Sequence, residues 1–259
     1  MNSVTAVGPN GAATLAIIGG TGFGEFAGLE AIRAEVVTTP WGDAYIERGM
    51  LAGVPLIFLP RHGHPPQYPP HMINYRANIA ALAQLGVERI LAITAVGSVD
   101  PHLPPAAVVM PDQLIDYTWG RAQTFYDAEI QHIDFTYPYT ETLRQALLGA
   151  VTALRAKGES LPFYPRGVYG CTQGPRLETA AEIQRMARDG CSIVGMTAMP
   201  EASLAREKGI AYAGLSVVVN AGAGINDQAI DLAAISAVMT QGMASVRKIL
   251  LALMGQPRP

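Results

Sequence analysis

Short apolar runs recur along the chain, and each empties into a polar or glycine-rich segment. Leu15-Ala16-Ile17-Ile18 leads into Gly19-Gly20-Thr21-Gly22, which predicts a buried strand delivering a tight glycine loop. Val54-Pro55-Leu56-Ile57-Phe58-Leu59 is a second run, ending at Pro60-Arg61-His62-Gly63-His64. Residues 74–85 carry helical spacing through Ile79, Leu82 and Ala83 and stop at Gly86. A third strand, Arg89 to Ile93, then ends at Thr94-Ala95-Val96-Gly97-Ser98. The alternation continues with an apolar run over 107–110, a helix over 140–155, a helix over 178–188 and a short strand over 192–196. A long apolar strand over 210–219 and a helix over 231–254, rich in Ala, Leu, Ile and Met, complete it.

Strands and helices interleave without a linker or repeat, so the expected fold class is α/β. The reading is a single domain over residues 13–259, its central mixed or mostly parallel twisted sheet flanked by helices. Residues 1–12 lack a basic segment followed by an apolar core and read as a frayed tail rather than a signal peptide. No stretch is expected to span a membrane. In sheets of this kind ligands gather where strands end, and every polar cluster here follows a strand.

Composition narrows the function. With 49% hydrophobic and 15% charged residues in 259 the chain can bury a large core, and that low charge hints at surface covered in an oligomer. A net charge of −3 with scattered Lys and Arg offers no basic stripe, which argues against nucleic acid and anionic membrane and for a small ligand. Cys171 and Cys191 have neither zinc spacing nor a secreted framework, so a reducing cytoplasm is expected.

The loop after the first strand leaves backbone N–H groups open, and the Thr21 hydroxyl adds a donor suited to a phosphate oxygen; an ordinary glycine turn fits the same residues. It lacks the third glycine and the acidic residue of a dinucleotide site, and no glycine loop here ends in the Lys-Ser/Thr of a P-loop. Arg61 offers a guanidinium fork beside the His62 imidazole, a combination suited to a dianionic oxyanion. His64 and His71 follow, but Pro65, Pro66, Pro69 and Pro70 prevent the usual helical zinc spacing and no carboxylate lies nearby, so no metal is expected. Thr21, Arg61, Thr94 and Thr197, if brought together, would complete a phosphate cradle. Tight packing explains the small residues at 94–98 and 196–197 equally well.

Gly19-Gly20-Thr21-Gly22, Arg61-His62-Gly63-His64, the stretch from His71-Met72-Ile73-Asn74-Tyr75-Arg76-Ala77-Asn78 to Thr94-Ala95-Val96-Gly97-Ser98, Gln173-Gly174-Pro175-Arg176, and Gly195-Met196-Thr197-Ala198-Met199-Pro200-Glu201 resemble the trimeric purine nucleoside phosphorylase and methylthioadenosine phosphorylase family. The likeness runs in order from about Leu15 to the last helix. It implies a homotrimer with active sites near subunit contacts, inorganic phosphate as co-substrate and no cofactor. By position, Thr21, Arg61, His62, Thr94, Ala95 and Thr197 would hold phosphate. The Met196 backbone would hold the ribose hydroxyls, and His132, before Ile133-Asp134-Phe135, would reach into a neighbouring subunit's site. Leu177 stands where the methylthioadenosine branch places an aromatic residue beside the base.

The same resemblance separates substrates. Asn220 follows Val217-Val218-Val219, as in the 6-oxopurine branch, where the methylthioadenosine branch ends in aspartate. An amide can accept from a protonated N7 and donate to a 6-oxo group, whereas an ionised carboxylate only accepts. Glu178 matches the glutamate that accepts the N1 proton, which adenine lacks. A solvated carboxylate in the first turn of a helix and a loop-start asparagine are the plainer readings of these two residues. No histidine follows His132 to bond a 5'-hydroxyl, and Ile230, Leu232 and Ala233 occupy that region. The expected substrate is therefore a 6-oxopurine nucleoside with a 5'-methylthio group. The 6-amino counterpart and ordinary inosine or guanosine are the alternatives. A dinucleotide-dependent oxidoreductase and a non-catalytic nucleoside binder are the rivals from other classes.

Overall fold

A computed structural model describes residues 14–20, 28–226 and 232–255, with the side chain of Leu232 excepted. The tail expected over 1–12, the Thr21 hydroxyl, Ile230 and the Leu232 side chain lie outside the described residues. Three strands occupy the positions that the apolar runs predict: β1 (Thr14–Gly19), β4 (Val54–Pro60) and a longer β5 (Val87–Ser98). Between β1 and β4 lies an antiparallel pair, β2 (Glu30–Thr39) and β3 (Gly42–Leu51), with no counterpart in the sequence reading. The β2 face is largely exposed, so it lacks the buried period that would have marked it.

Helix α1 (Tyr75–Gln84) begins where Asn74 accepts a hydrogen bond from the Ala77 N–H. Beyond β5 come β6 (Val108–Val109), β7 (Gln113–Asp116), α2 (Glu141–Ala156), β8 (Phe163–Tyr164) and β9 (Val168–Cys171). Then follow α3 (Ala180–Arg188), β10 (Ile193–Gly195), α4 (Ala198–Glu207), β11 (Ala211–Ala221) and α5 (Leu232–Met254). A full capping box, Thr179 with Glu182, starts α3. Glu178 consequently precedes the helix instead of sitting in its first turn.

The sheet is mixed, and β5 is its pivot. One edge of β5 pairs with β11 from Arg89 to Ser98. The other edge pairs with β1 only as far as Ala92 and with antiparallel β10 only at Gly97 and Ser98. Ile93 to Val96 thus face a gap in the ladder, flanked by the ends of β1, β4 and β10. Two apolar layers clamp the sheet, one built on α1 and α4 and the other on α2 and α5.

Helix α5 amends one expectation. Over Ala233–Met254 it is long and apolar enough to cross a membrane. Its Val246, Ile249 and Leu250 are fully buried in the apolar layer that α5 forms with α2 and β11, while much of the rest of the helix is exposed.

Candidate active site

Strand ends meet at the gap in the β5 ladder and enclose a cavity of about 240 Å³. Arg61, His62, Thr94, Ala95 and Thr197 line it, and so do Glu178, Leu177, Asn220 and Met196. The structure therefore brings together the described residues that the sequence reading assigned to phosphate and base, and Met196 of those assigned to the sugar. His132 is the exception; it lies on an exposed loop away from the cavity of its own chain.

The cavity runs along β5 from Thr94 to Gly97, about 10 Å at the usual rise of a strand. At the Thr94 end its hydroxyl lies 2.8 Å from the Ser216 hydroxyl on β11; either can donate, and with Ser216 donating the Thr94 proton is left for a ligand. At the Gly97 end stands Asn220, paired with Gly97 across a β-bulge between Val218 and Asn220. A regular pleat would point Val219 and Asn220 to opposite faces; the bulge lets both line the cavity.

Arg61 is only 2% exposed, and its fork is already used. Nε and Nη2 donate to the two carboxylate oxygens of Glu201 at 2.6 and 2.9 Å, while Nη1 donates to the Ile93 carbonyl at 3.1 Å. The bidentate face that the sequence reading reserved for an oxyanion belongs to Glu201, leaving the Nη edge for a ligand. Burial disfavours the guanidinium charge, but the Glu201 charge and hydrogen bonds outweigh it and hold the group above the ordinary arginine range. The Tyr212 hydroxyl also donates to Glu201, at 2.9 Å. Glycine is needed at position 20 because a Cβ there would lie 2.9 Å from Arg61 Nη1.

His62 Nδ1 is 2.8 Å from the Tyr68 carbonyl, an acceptor, so Nδ1 carries the proton and Nε2 keeps its lone pair. Burial is the main reason that its pKa falls below the usual histidine value, with the Arg61 charge adding to it and the Tyr68 carbonyl opposing. With Nδ1–H committed to Tyr68, Nε2 of the neutral ring can accept a hydrogen bond from a protonated oxygen of a bound acid phosphate.

Arg121 bore no sequence signal, yet it ties two cavity segments together. Its Nη2 reaches the Thr172 and Gln173 carbonyls at 3.2 and 2.8 Å, and its Nη1 reaches the Met196 and Met199 carbonyls at 2.8 and 2.5 Å. Ser216, Glu201 and Arg121 were all missed because each acts on another residue or on backbone, a relation set by tertiary proximity. No His, Cys, Asp and Glu cluster suited to a metal occurs among the described residues.

Comparison with known proteins agrees with this architecture. A family model described as the phosphorylase superfamily matches residues 14–254. A "probable S-methyl-5'-thioinosine phosphorylase" of Pseudomonas syringae pathovar tomato is 49% identical over 240 residues, 91% of this chain and 96% of that protein. The 6-oxopurine nucleoside phosphorylase of Pyrococcus furiosus is 44% identical over 92% of this chain and 91% of its own. Among solved structures, the methylthioadenosine phosphorylase of Schistosoma mansoni in complex with adenine superimposes with a TM-score of 0.87 at 31% identity, covering 93% of this chain and 91% of that one.

Proposed function

Because this chain belongs to the phosphorylase superfamily, we propose that it cleaves S-methyl-5'-thioinosine with inorganic phosphate, giving hypoxanthine and 5-methylthioribose 1-phosphate. It is a pentosyltransferase of the purine nucleoside phosphorylase type. The observation that carries the finer reading is the single cavity with hydroxyl and N–H donors at Thr94 and Arg61 and an amide and a carboxylate, Asn220 and Glu178, along the same wall.

Breaking the N-glycosidic bond builds positive charge on the sugar and negative charge on the departing purine. Phosphate held by the Arg61 edge, Thr94, Thr197 and the Ala95 backbone sits against the anomeric carbon, stabilises the cation and attacks it. Thr21, by its place after β1, would add a further donor. Since Glu201 neutralises Arg61, the phosphate charge is met by N–H and O–H dipoles and by His62, whose free Nε2 accommodates a protonated phosphate oxygen. Asn220 Oδ1 accepts the proton on N7 of the leaving base. Its Nδ2 already donates to the Ala221 carbonyl at 2.7 Å, and the second amide hydrogen serves the 6-oxo oxygen. Glu178 accepts the N1 proton.

Met196 faces the ribose, and Leu177 with Ile235 supplies apolar wall. Leu232, by its place in the sequence, would add an apolar side chain for the 5'-methylthio group. His132, exposed in its own chain, suits a homotrimer in which it closes a neighbour's site. A cytoplasmic location fits the two unpaired cysteines.

The 6-amino reading draws on the likeness to the Schistosoma structure with adenine. Asn220 and Glu178 oppose it. The test is hypoxanthine release from methylthioinosine as phosphate is titrated: saturable dependence on phosphate is expected, and equal release without phosphate would contradict phosphorolysis.

A further inference from the structure

Glu178 stands on a wall shared by two cavities. One is the 240 Å³ cavity described above, and the other is a neighbouring cavity of about 480 Å³ that Thr172, Arg176 and Arg185 also line. The carboxylate is half-buried and precedes the Thr179 cap of α3, so no helical hydrogen bond fixes its backbone direction. The Arg176 charge lies close enough to feel Glu178. A free glutamate here would divide its time between the base and the guanidinium groups outside.

Thr172 decides between them. Its hydroxyl donates to Glu178 Oε1 at 2.6 Å. The other acceptor in reach, the Gly195 carbonyl, is 3.4 Å away and is already bonded by the Thr172 backbone N–H at 2.8 Å. The hydroxyl proton is therefore committed to the carboxylate. The Thr172 backbone is itself held on both sides, by Gly195 through its N–H and by Arg121 through its carbonyl. A rigid hydroxyl thus satisfies one oxygen of Glu178 and leaves the other as a pure acceptor.

We propose that Thr172 is a positioning residue for purine selectivity: it fixes Glu178 on the wall between the two cavities by occupying one carboxylate oxygen, so that the other serves as an acceptor for a ring N–H and the site takes 6-oxopurines, which carry that proton, over 6-aminopurines, which do not. This rests on the reading of Glu178 as the group that meets N1.

The experiment measures kcat/KM for methylthioinosine and methylthioadenosine, and KM for phosphate, in the wild type, Thr172→Val, Thr172→Ser, Glu178→Ala and Thr172→Val/Glu178→Ala enzymes. Thr172→Val lowers kcat/KM for methylthioinosine about tenfold, the loss falling mainly in KM, and narrows the preference over methylthioadenosine. Thr172→Ser restores both, and phosphate KM stays put in every variant. In the Glu178→Ala background Thr172→Val adds nothing, because the group it holds is gone. Three results overturn the latch. One is Thr172→Val retaining wild-type selectivity while Glu178→Ala loses it, which spares the Glu178 reading. Another is an equal, additive loss in the Glu178→Ala background, which would make Thr172 a fold residue. The third is Glu178→Ala retaining full preference for methylthioinosine, which removes the Glu178 reading together with the latch.

Discussion

Arg61 and Glu201, far apart in the chain, form a bidentate ion pair that is 1% and 2% exposed at its side chains. It fastens the end of β4 to α4 beneath the cavity. Removing one partner of a buried pair leaves an uncompensated charge, at a cost of about 3–5 kcal/mol. Glu201→Gln is therefore expected to lower unfolding free energy by that order in denaturant titrations and to raise phosphate KM, since a loosened guanidinium no longer presents a fixed edge. Unchanged stability would show that the pair is not what holds this junction.

Ser216 orients Thr94 from the neighbouring strand. Ser216→Ala leaves the Thr94 hydroxyl free to rotate, and the loss of one buried hydrogen bond is worth about 0.5–1.5 kcal/mol. The expected outcome is a rise of a few-fold up to about tenfold in phosphate KM with the purine preference unaltered. A change in purine preference without a change in phosphate KM would place Thr94 elsewhere in the mechanism.

The state of His62 sets a pH dependence. Burial lowers its pKa in the folded protein below the usual value of 6.5, so below that pH the unfolded chain binds the proton more readily than the native one. Stability is full above about pH 6.5 and is lost as pH falls toward the lowered folded value. Chemical denaturation between pH 7.5 and 5 should show this slope in the wild type and a flatter one in His62→Gln. A wild-type protein that gains stability over that interval through His62 would reverse the assignment.

Asn220 and Glu178 divide the purines. A mispaired buried polar group costs about 1–3 kcal/mol, or roughly 5- to 150-fold. Asn220→Asp should lower kcat/KM for methylthioinosine by a factor in that range and favour methylthioadenosine, because a carboxylate accepts from the 6-amino group and repels the 6-oxo oxygen. Parallel steady-state assays of the two nucleosides decide it.

Much of this was legible in the sequence for a physical reason: buried strands leave apolar runs, and catalytic groups follow them. The ends of β1, β4 and β5 were visible as Gly19-Gly20, Arg61-His62 and Thr94 to Ser98. The β2–β3 pair was not, because β2 exposes much of both faces and so lacks a buried period. Helix α4 was hidden by Pro200 and the non-helical Met199 within its first turn. At the site, side chains facing the cavity could be named, whereas Glu201, Ser216, Arg121 and Thr172 could not. Their partners are distant in the chain or are backbone atoms, and no spacing rule records such contacts.

Phosphate-dependent base release from methylthioinosine, methylthioadenosine and inosine side by side, with a control lacking phosphate, tests the proposed reaction most directly. Methylthioinosine is expected to have the highest kcat/KM, ahead of inosine by roughly 10- to 200-fold through the apolar 5' wall and ahead of methylthioadenosine through Asn220 and Glu178. Preference for methylthioadenosine would contradict the assignment of those two residues, and release that ignores phosphate would contradict phosphorolysis itself.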